Sequence, residues 1–469
     1  MADLVTSQES EAKECPSLDM NALKESLRST PAYEALRGKL VSMLSVPDGG
    51  SPPLLTGADV LLKQIMANSK VASTLAPPAG ASPHAPSIRL NRESLYLRVT
   101  IGKGAAFVSH LDSTLSDLKL SLTFNGKRFT SPPTRSCMDP QFSGMHVFQL
   151  SEKTPKDSNA WFKLITGNSD KVHIACTSSP VPSKSAHQSY TTMHSNLIAT
   201  GSVDWRTSLV SPDGTMVELK PATTQGGMIV GGGGSVFMKF ELVQSESDLT
   251  LPLTVDDIER HIKLDEQKDM ENARNFYLYA VDWWRQFQEI SDAHATREGV
   301  RIFAEDEQGT NRCVSTFVSP VKVGRLIDSP RHAARFVSLI PFERRSSVGG
   351  RRVETWQSWH AFLCKGRGDV EDHACLLCSL LLGFSLNTYV VIGHAFDQTE
   401  AGEEAREHAW VMTISQSNDV TFIESLTGQR YHIQGKNSTA DEINSLPYAT
   451  VSCVFNHENF WANKSRDNR

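Results

Sequence analysis

The spacing of apolar residues changes period several times along the chain. Met20, Leu23 and Leu27 recur at helical spacing, as do Leu36, Leu40, Met43 and Leu44, and then Val60, Leu61, Ile65 and Met66. This predicts three short amphipathic helices, the first two separated by Pro31. From 73 to 89 proline, serine and alanine take over, the composition of a linker. Leu95, Leu97, Val99 and Ile101 then alternate with polar residues, the pattern of a half-buried strand. Stretches 118–124 and 127–130 flank Asn125-Gly126, a tight-hairpin signal. Further strands are expected at 147–150, 161–165, 172–176, 197–199, 216–219 and 236–242. So many short strands in succession predict an antiparallel β-sandwich. The run Gly231 to Gly234 precedes a strand and lacks the Lys-Ser/Thr and helix of a phosphate loop, so it reads as a hairpin loop.

Helical spacing returns over 254–290, with Ile258, Ile262, Ala273, Phe276, Ala280, Trp283 and Phe287 on one stripe. Thr254 suits the N-cap, and Asp256 and Asp257 suit the first turn. The aromatic tract FYLYAVDWWRQF is expected to pack on the domain that follows. Stretches 300–304 and 314–318 read as a strand pair, Ser329-Pro330 as a helix start and 354–364 as a helix. Between them, 343–352 is a basic, glycine-containing loop, read as a solvated loop.

The chemistry-bearing stretch is 366–384, GRGDVEDHACLLCSLLLGF. Asp369 is the expected N-cap, Glu371 and Asp372 complement the helix dipole, and Gly383 is the expected C-terminal cap. The apolar residues fall on nearly every side, so the helix should be buried all round. A strand beginning at His408 and a strand with Glu424 in its middle follow. A helix N-terminus, a histidine strand and an acid strand are the layout of a transglutaminase or papain-type thiol site. There the dipole activates the cysteine, the histidine takes its proton and the acid orients the imidazole.

Composition narrows the picture. With 469 residues and 39% hydrophobic content the chain can build two to four cored domains. A net charge of -6 gives no support for nucleic-acid binding by bulk charge. The eight cysteines are scattered, which suits reduced core thiols in the cytosol. Cys375 and Cys378 form a C-x-x-C pair inside the predicted helix, with no second pair for zinc, so no metal and no cofactor are expected.

Gly-Asp-x-Glu-Asp-His-Ala-x-Leu-Leu-Cys-Ser-Leu-Leu-Leu-Gly-Phe, His-Ala-Trp-Val-Met-Thr and Glu-Ser-Leu-Thr-Gly-x-Arg-Tyr resemble the transglutaminase-like domain of the centrosomal protein family of seventy-six kilodaltons. The stretches 325–337 and 448–462 resemble it too, and 111–120 with Asp139-Pro-Gln-Phe resembles its C2 domain. The resemblance covers roughly residues 90–462, and with the periodicity and linker composition before it the chain is expected to be multidomain α+β. Its expected parts are N-terminal helices at 1–72, a linker at 73–89, a C2-like sandwich at 90–250, a connecting helix at 251–295 and a peptidase-like domain at 296–469, shortened at its C-terminus.

In active thiol members the residue between Asp369 and Glu371 is the nucleophile, and here it is Val370. The vestigial triad positions are therefore Val370, His408 and Glu424, with Asp369, Asp372, His373 and Trp410 as groove candidates. Calcium binding by the C2-like part would draw on Asp112, Asp117 and Asp204, too few carboxylates for two converging loops. Membrane recruitment is accordingly disfavoured. The family implies a non-catalytic scaffold of the centrosome, centriole or basal body. It also implies restraint of centriole duplication, and centriolar partners that include the distal-end capping complex. The N-terminal helices could pair two copies of the chain. The alternatives are a thiol peptidase or acyltransferase with a displaced cysteine, and a lipid-recruited C2 adaptor.

Overall fold

The computed structural model describes residues 91, 93–107, 116–167, 170–180, 195–222, 233–243, 253–295, 299–324, 327–343, 355–399, 402–433 and 445–464. The expected N-terminal helices, the linker, Asp112, Gly231, Gly232 and the basic stretch 344–352 lie outside them.

The alternating stretches form an antiparallel sandwich. Its strands are β1 Leu95–Ala105, β2 Ser116–Phe124, β3 Lys127–Thr130, β4 Thr134–Arg135, β5 Gln141–Ser151, β6 Lys171–Pro180, β7 Asn196–Asp204, β8 Thr215–Pro221 and β9 Gly234–Val243. Their order is β3-β2-β6-β7-β8-β9-β1-β5. β7 meets β8 only at Ala199 and Thr200, so the path turns a corner there and divides into two facing layers. Leu95, Leu97 and Val99 of one layer and Leu118, Leu120 and Leu122 of the other are fully buried in one core. Asn125 and Gly126 both take positive φ (50° and 69°), the backbone that a two-residue hairpin requires.

Residues 161–165, expected as a strand, lie in helix α1, Ser158–Gly167. Trp161 and Ile165 point to the core four residues apart, while Phe162 and Lys163 are exposed. Asp157 starts the helix by accepting a hydrogen bond from the Ala160 N–H at 2.6 Å. A one-turn helix α2, Thr207–Val210, follows β7.

Helix α3, Val255–Ile290, begins as expected at Thr254, whose hydroxyl accepts from the Asp257 N–H. Ile258 and Ile262 join the sandwich core. Ala280, Phe276 and Trp283 join a second core, where Phe276 and Trp283 meet Phe460 edge-on. The helix is thus a strut set against two cores. A short helix α4, Asp292–Ala295, follows it, and the His294 ring stacks on Phe287.

A small sheet comes next, joining β10 Phe303–Asp306, β11 Asn311–Cys313 and β12 Thr355–Trp356. The second core lies between helices and a six-stranded antiparallel sheet. α5 is Pro330–Ser338, capped by Ser329 as expected; α6 is Trp359–Lys365; α7 is Val370–Gly383. The larger sheet comprises β13 Thr388–Thr399, β14 Gly402–Ile414, β15 Val420–Ile423, β16 Arg430–Ile433, β17 Tyr448–Phe455 and β18 Phe460–Ala462, in the order β16-β15-β14-β13-β17-β18. α7 packs on β13 and β14, with α5 against its other side, so it is buried along most of its length.

Several expectations here need correction. Residues 314–317 form a 3-10 turn, so the partner of β10 is Asn311–Cys313. Thr355 and Trp356 pair in parallel with β10, which delays the expected helix to Trp359. Gly383 is the last helical residue and caps nothing. A Cβ there would stand 2.0 Å from the Val321 carbonyl oxygen, so the glycine permits close approach of two chain segments.

The sandwich and the second core are in direct contact. α6 lies on β6 and β7. His173 of β6 stacks on His360 of α6 with ring centroids 3.8 Å apart. Gln308 donates to the Thr200 hydroxyl at 2.9 Å, Ser195 to the Lys365 carbonyl at 3.1 Å, and Arg367 to the Asn196 side chain at 2.7 Å. This outer face of the sandwich is therefore covered by the neighbouring domain.

Candidate functional site

The start of α7 is held by a capping box. The Asp369 carboxylate accepts from the Asp372 N–H at 3.1 Å, and the Asp372 carboxylate accepts from the Asp369 N–H at 3.2 Å. Gln357 adds two donors to Asp372, its backbone N–H at 2.8 Å and its side-chain amide at 2.6 Å. Gly368, just upstream, leaves room for this arrangement, since a Cβ there would meet Asp372 and Phe362. Val370 occupies the first helical position, half-buried and packed on the core.

His373 is fully buried one turn on, its ring nitrogens against the carbonyls of Asp369 and Ile340. Burial holds its pKa below the ordinary value, opposed by the Ile340 carbonyl and by the charges of Asp372 and Glu424. Asp369, Asp372 and Trp410 are buried as well. The four groove candidates thus form the packed wall of the site, with little surface of their own.

The structure brings His408 and Glu424 together. The strand of His408 begins six residues earlier than expected, at Gly402, so the histidine lies inside β14. Glu424 lies just past the end of β15, where the sequence pattern suggests mid-strand. His408 Nε2 and Glu424 Oε2 are 2.8 Å apart. The other carboxylate oxygen accepts from the Leu426 N–H at 3.2 Å, and the Tyr448 hydroxyl donates to Oε2 at 3.4 Å. Burial, then the Glu424 charge, pushes the Tyr448 pKa well up, which keeps the phenol a neutral donor. Tyr448 stacks on Trp410 at 4.1 Å, and the ring of Trp410 also lies parallel to that of His408. An acid bound to Nε2 leaves Nδ1 as the nitrogen that a thiol on α7 would use. α7 packs on β14, the strand that carries His408.

Tyr448 and Gln357 do not stand out in the sequence. Tyr448 opens a stretch that carries only the family resemblance, and Gln357 follows a two-residue strand that local pattern does not reveal.

The seven described cysteines are free thiols. Cys378 and Cys453 are buried, and burial pushes the Cys453 thiol up to about 11 and Cys378 higher still. Cys364 faces the sandwich, within reach of Arg128, and burial raises its pKa too. The described thiols with a resolved shift are all moved away from the thiolate that nucleophilic catalysis needs.

In the sandwich, Asp204 is committed to Arg206, a fully buried guanidinium. Arg206 donates to Asp204 through Nε and through Nη2 at 2.7 Å, and through Nη1 to the Ile165 carbonyl and to Asp265 of α3. Asp117 forms a looser pair with Arg135 at 3.6 Å. Among the described residues no cluster of histidine, cysteine and carboxylate side chains could hold a metal.

Residues 89–248 match the CEP76 C2 domain and residues 354–469 match the CEP76 peptidase-like domain, together more than half of the chain. The chain belongs to the centrosomal protein of 76 kDa family. The human member of that name is 35% identical over 390 residues, 79% of this chain and 55% of that protein. The zebrafish (Danio rerio) member is 34% identical over 387 residues. The chain thus spans about half the length of these curated relatives. A solved structure of the C2A and C2B domains of extended synaptotagmin 2 aligns with 36% of this chain and 48% of its own at 9% identity, with a TM-score of 0.22. Family membership accounts for a C2-like sandwich followed by a peptidase-like domain. Among the described residues no helix is long and apolar enough to cross a membrane.

Proposed function

We propose that this chain is a non-catalytic scaffold of the centriole or basal body, whose peptidase-like domain has exchanged thiol chemistry for protein binding. The observation that carries the reading is Val370 at the first turn of α7, where active thiol relatives place the nucleophile. A valine can neither attack a carbonyl nor give up a proton. Loss of a triad nucleophile typically costs on the order of a million-fold in turnover. His408 and Glu424 keep their mutual geometry, yet a fold and two of its three partners do not make the reaction. The relatives are named for the centrosome, which supports the same location for this chain. On this reading its partners are centriolar proteins, among them the complex that caps the distal end, and its role is to restrain centriole duplication.

The test is cysteine alkylation at neutral pH on the purified chain, read residue by residue by mass spectrometry. Cys364, Cys375 and Cys378 should all label slowly, and His408→Ala should change none of them. A single fast-reacting cysteine that slows in the His408 variant would show a displaced nucleophile and sink the scaffold reading in favour of a thiol enzyme.

A further inference from the structure

The surface beside the capping box carries a feature that the thiol layout does not explain. At the end of α5 three large apolar side chains face solvent: Phe336 is 40% exposed, Leu339 62% and Phe342 51%. Apolar groups gathered at one place on a surface commonly mark an interaction site. The same helix presents Arg331 and Arg335 to solvent, and exposed Arg430 opens β16 nearby. The fold forces this proximity. The turn between β15 and β16 rests on α5, where a Cβ on Gly428 would stand 3.6 Å from the Ala334 carbonyl oxygen. Burial and the charge of Arg331 together hold the Arg430 pKa below its ordinary value.

The acids of these segments are engaged elsewhere. Asp328 is paired with His332, Glu343 with Lys365 and Arg367, and Glu424 with His408. Among the described residues no carboxylate pairs with Arg331, Arg335 or Arg430. Like charges brought together by packing, with no counter-charge of their own, favour an anionic partner. Guanidinium groups match carboxylates in particular, through forked hydrogen bonds. The patch is also fixed to the candidate site. Phe342 bridges to Gly368, the Glu343 N–H donates to the Gly368 carbonyl at 2.7 Å, and the Ile340 carbonyl meets His373 at 3.0 Å.

We propose that this surface docks an acidic polypeptide segment of a partner, one that carries apolar side chains between its carboxylates. Arg331, Arg335 and Arg430 take the carboxylates, and Phe336, Leu339 and Phe342 take the apolar side chains. The proposal rests on the scaffold reading and gives it a binding face and a ligand chemistry.

The probe is a fluorescein-labelled synthetic peptide of glutamates interspersed with leucines, titrated with the full chain and followed by anisotropy. Gln-Leu and Lys-Leu peptides of the same layout are the controls. The Glu-Leu peptide should bind, should weaken with added salt, and should lose about ten-fold or more in affinity to the Arg331→Glu/Arg430→Glu variant, as paired interfacial charges predict. Phe342→Ser should weaken it several-fold while circular dichroism stays unchanged. Equal binding of the Gln-Leu peptide, or no loss in the charge-reversal variant, overturns the proposal. So does co-sedimentation with phosphatidylserine vesicles that needs the arginines while the peptide fails to bind, because the partner would then be a membrane. The scaffold reading fails separately, through a fast thiol in the alkylation experiment.

Discussion

The two domains hold their candidate site residues differently. In the sandwich, Asp204, one of the calcium-ligand candidates, is built into a buried ion pair with Arg206 that also ties α3 in place through Asp265. In the peptidase-like domain, His408 and Glu424 face each other at 2.8 Å, and on the scaffold reading proposed above a single half-buried side chain, Val370, takes the place of the nucleophile. On the reading proposed above, Asp204 of the sandwich serves structure, and the His408–Glu424 pair lacks one partner. Substitutions should therefore damage the fold at the first site and restore chemistry at the second.

The largest effect is expected at the sandwich. Burial works against the Arg206 charge, and Asp204 with Asp265 outweighs it. Asp204→Asn would leave a buried guanidinium short of its main partner. Breaking a buried pair from one side costs about 3 kcal/mol or more. Thermal unfolding should show that loss, and calcium should leave the unfolding midpoint of the unaltered chain where it was. A calcium-dependent rise would mean that Asp204 is still a ligand, since a bound ion stabilises the folded state.

A smaller effect is expected at the interdomain contact. His173 is stacked on His360 and held down to about 4 by burial first, then by Lys171 and Arg312. His360 is lowered too, by burial and by His173. A histidine whose folded pKa lies below its unfolded value of about 6.5 takes up its proton preferentially in the unfolded chain. Its contribution is therefore complete above about pH 6.5 and falls as pH drops from there toward 4. Between pH 7 and pH 5 the unaltered chain should lose about 2 kcal/mol more than His173→Gln. Denaturant titrations at the two pH values measure this. The opposing contribution of Glu307, raised by burial, is common to both chains and cancels in the comparison. Equal losses would mean that His173 is already charged in the folded protein.

Much of this architecture is legible in the amino-acid sequence. The alternation in β1 and β2, the Asn125-Gly126 hairpin, the Thr254 and Ser329 caps and the aromatic stripe of α3 are local signals, and the chain obeys them. What the sequence hides depends on distant partners. Residues 161–165 alternate well enough for a strand, but only Trp161 and Ile165 find core, and Asp157 caps the helix that serves them. Thr355 and Trp356 become a strand because β10, some fifty residues earlier in the chain, offers them an edge. Gly383 has the look of a cap and is instead a point of contact with Val321. At the site, His408 and Glu424 are visible as residue types on successive segments. The hold of Gln357 on Asp372 and of Tyr448 on Glu424 is not, because both join residues whose proximity only the folded sheet and helix create.

The smallest expected change in stability tests the contrast most directly. Val370→Cys removes little volume from a half-buried position, so it should cost about 1 kcal/mol or less. Its chemical effect should be larger. The new thiol would sit in the first turn of α7, where the helix dipole favours a thiolate, on a helix that packs against the strand of a histidine already oriented by an acid. Asp369 and Asp372 are spent on the capping box and on Gln357, so their charge is partly neutralised by hydrogen bonds. Iodoacetamide should label Cys at position 370 about ten-fold faster than Cys378, and His408→Ala in the same background should remove most of the difference. If the new cysteine labels no faster than the buried thiols, the His408–Glu424 pair survives for packing alone, and the two domains have diverged from chemistry to the same extent.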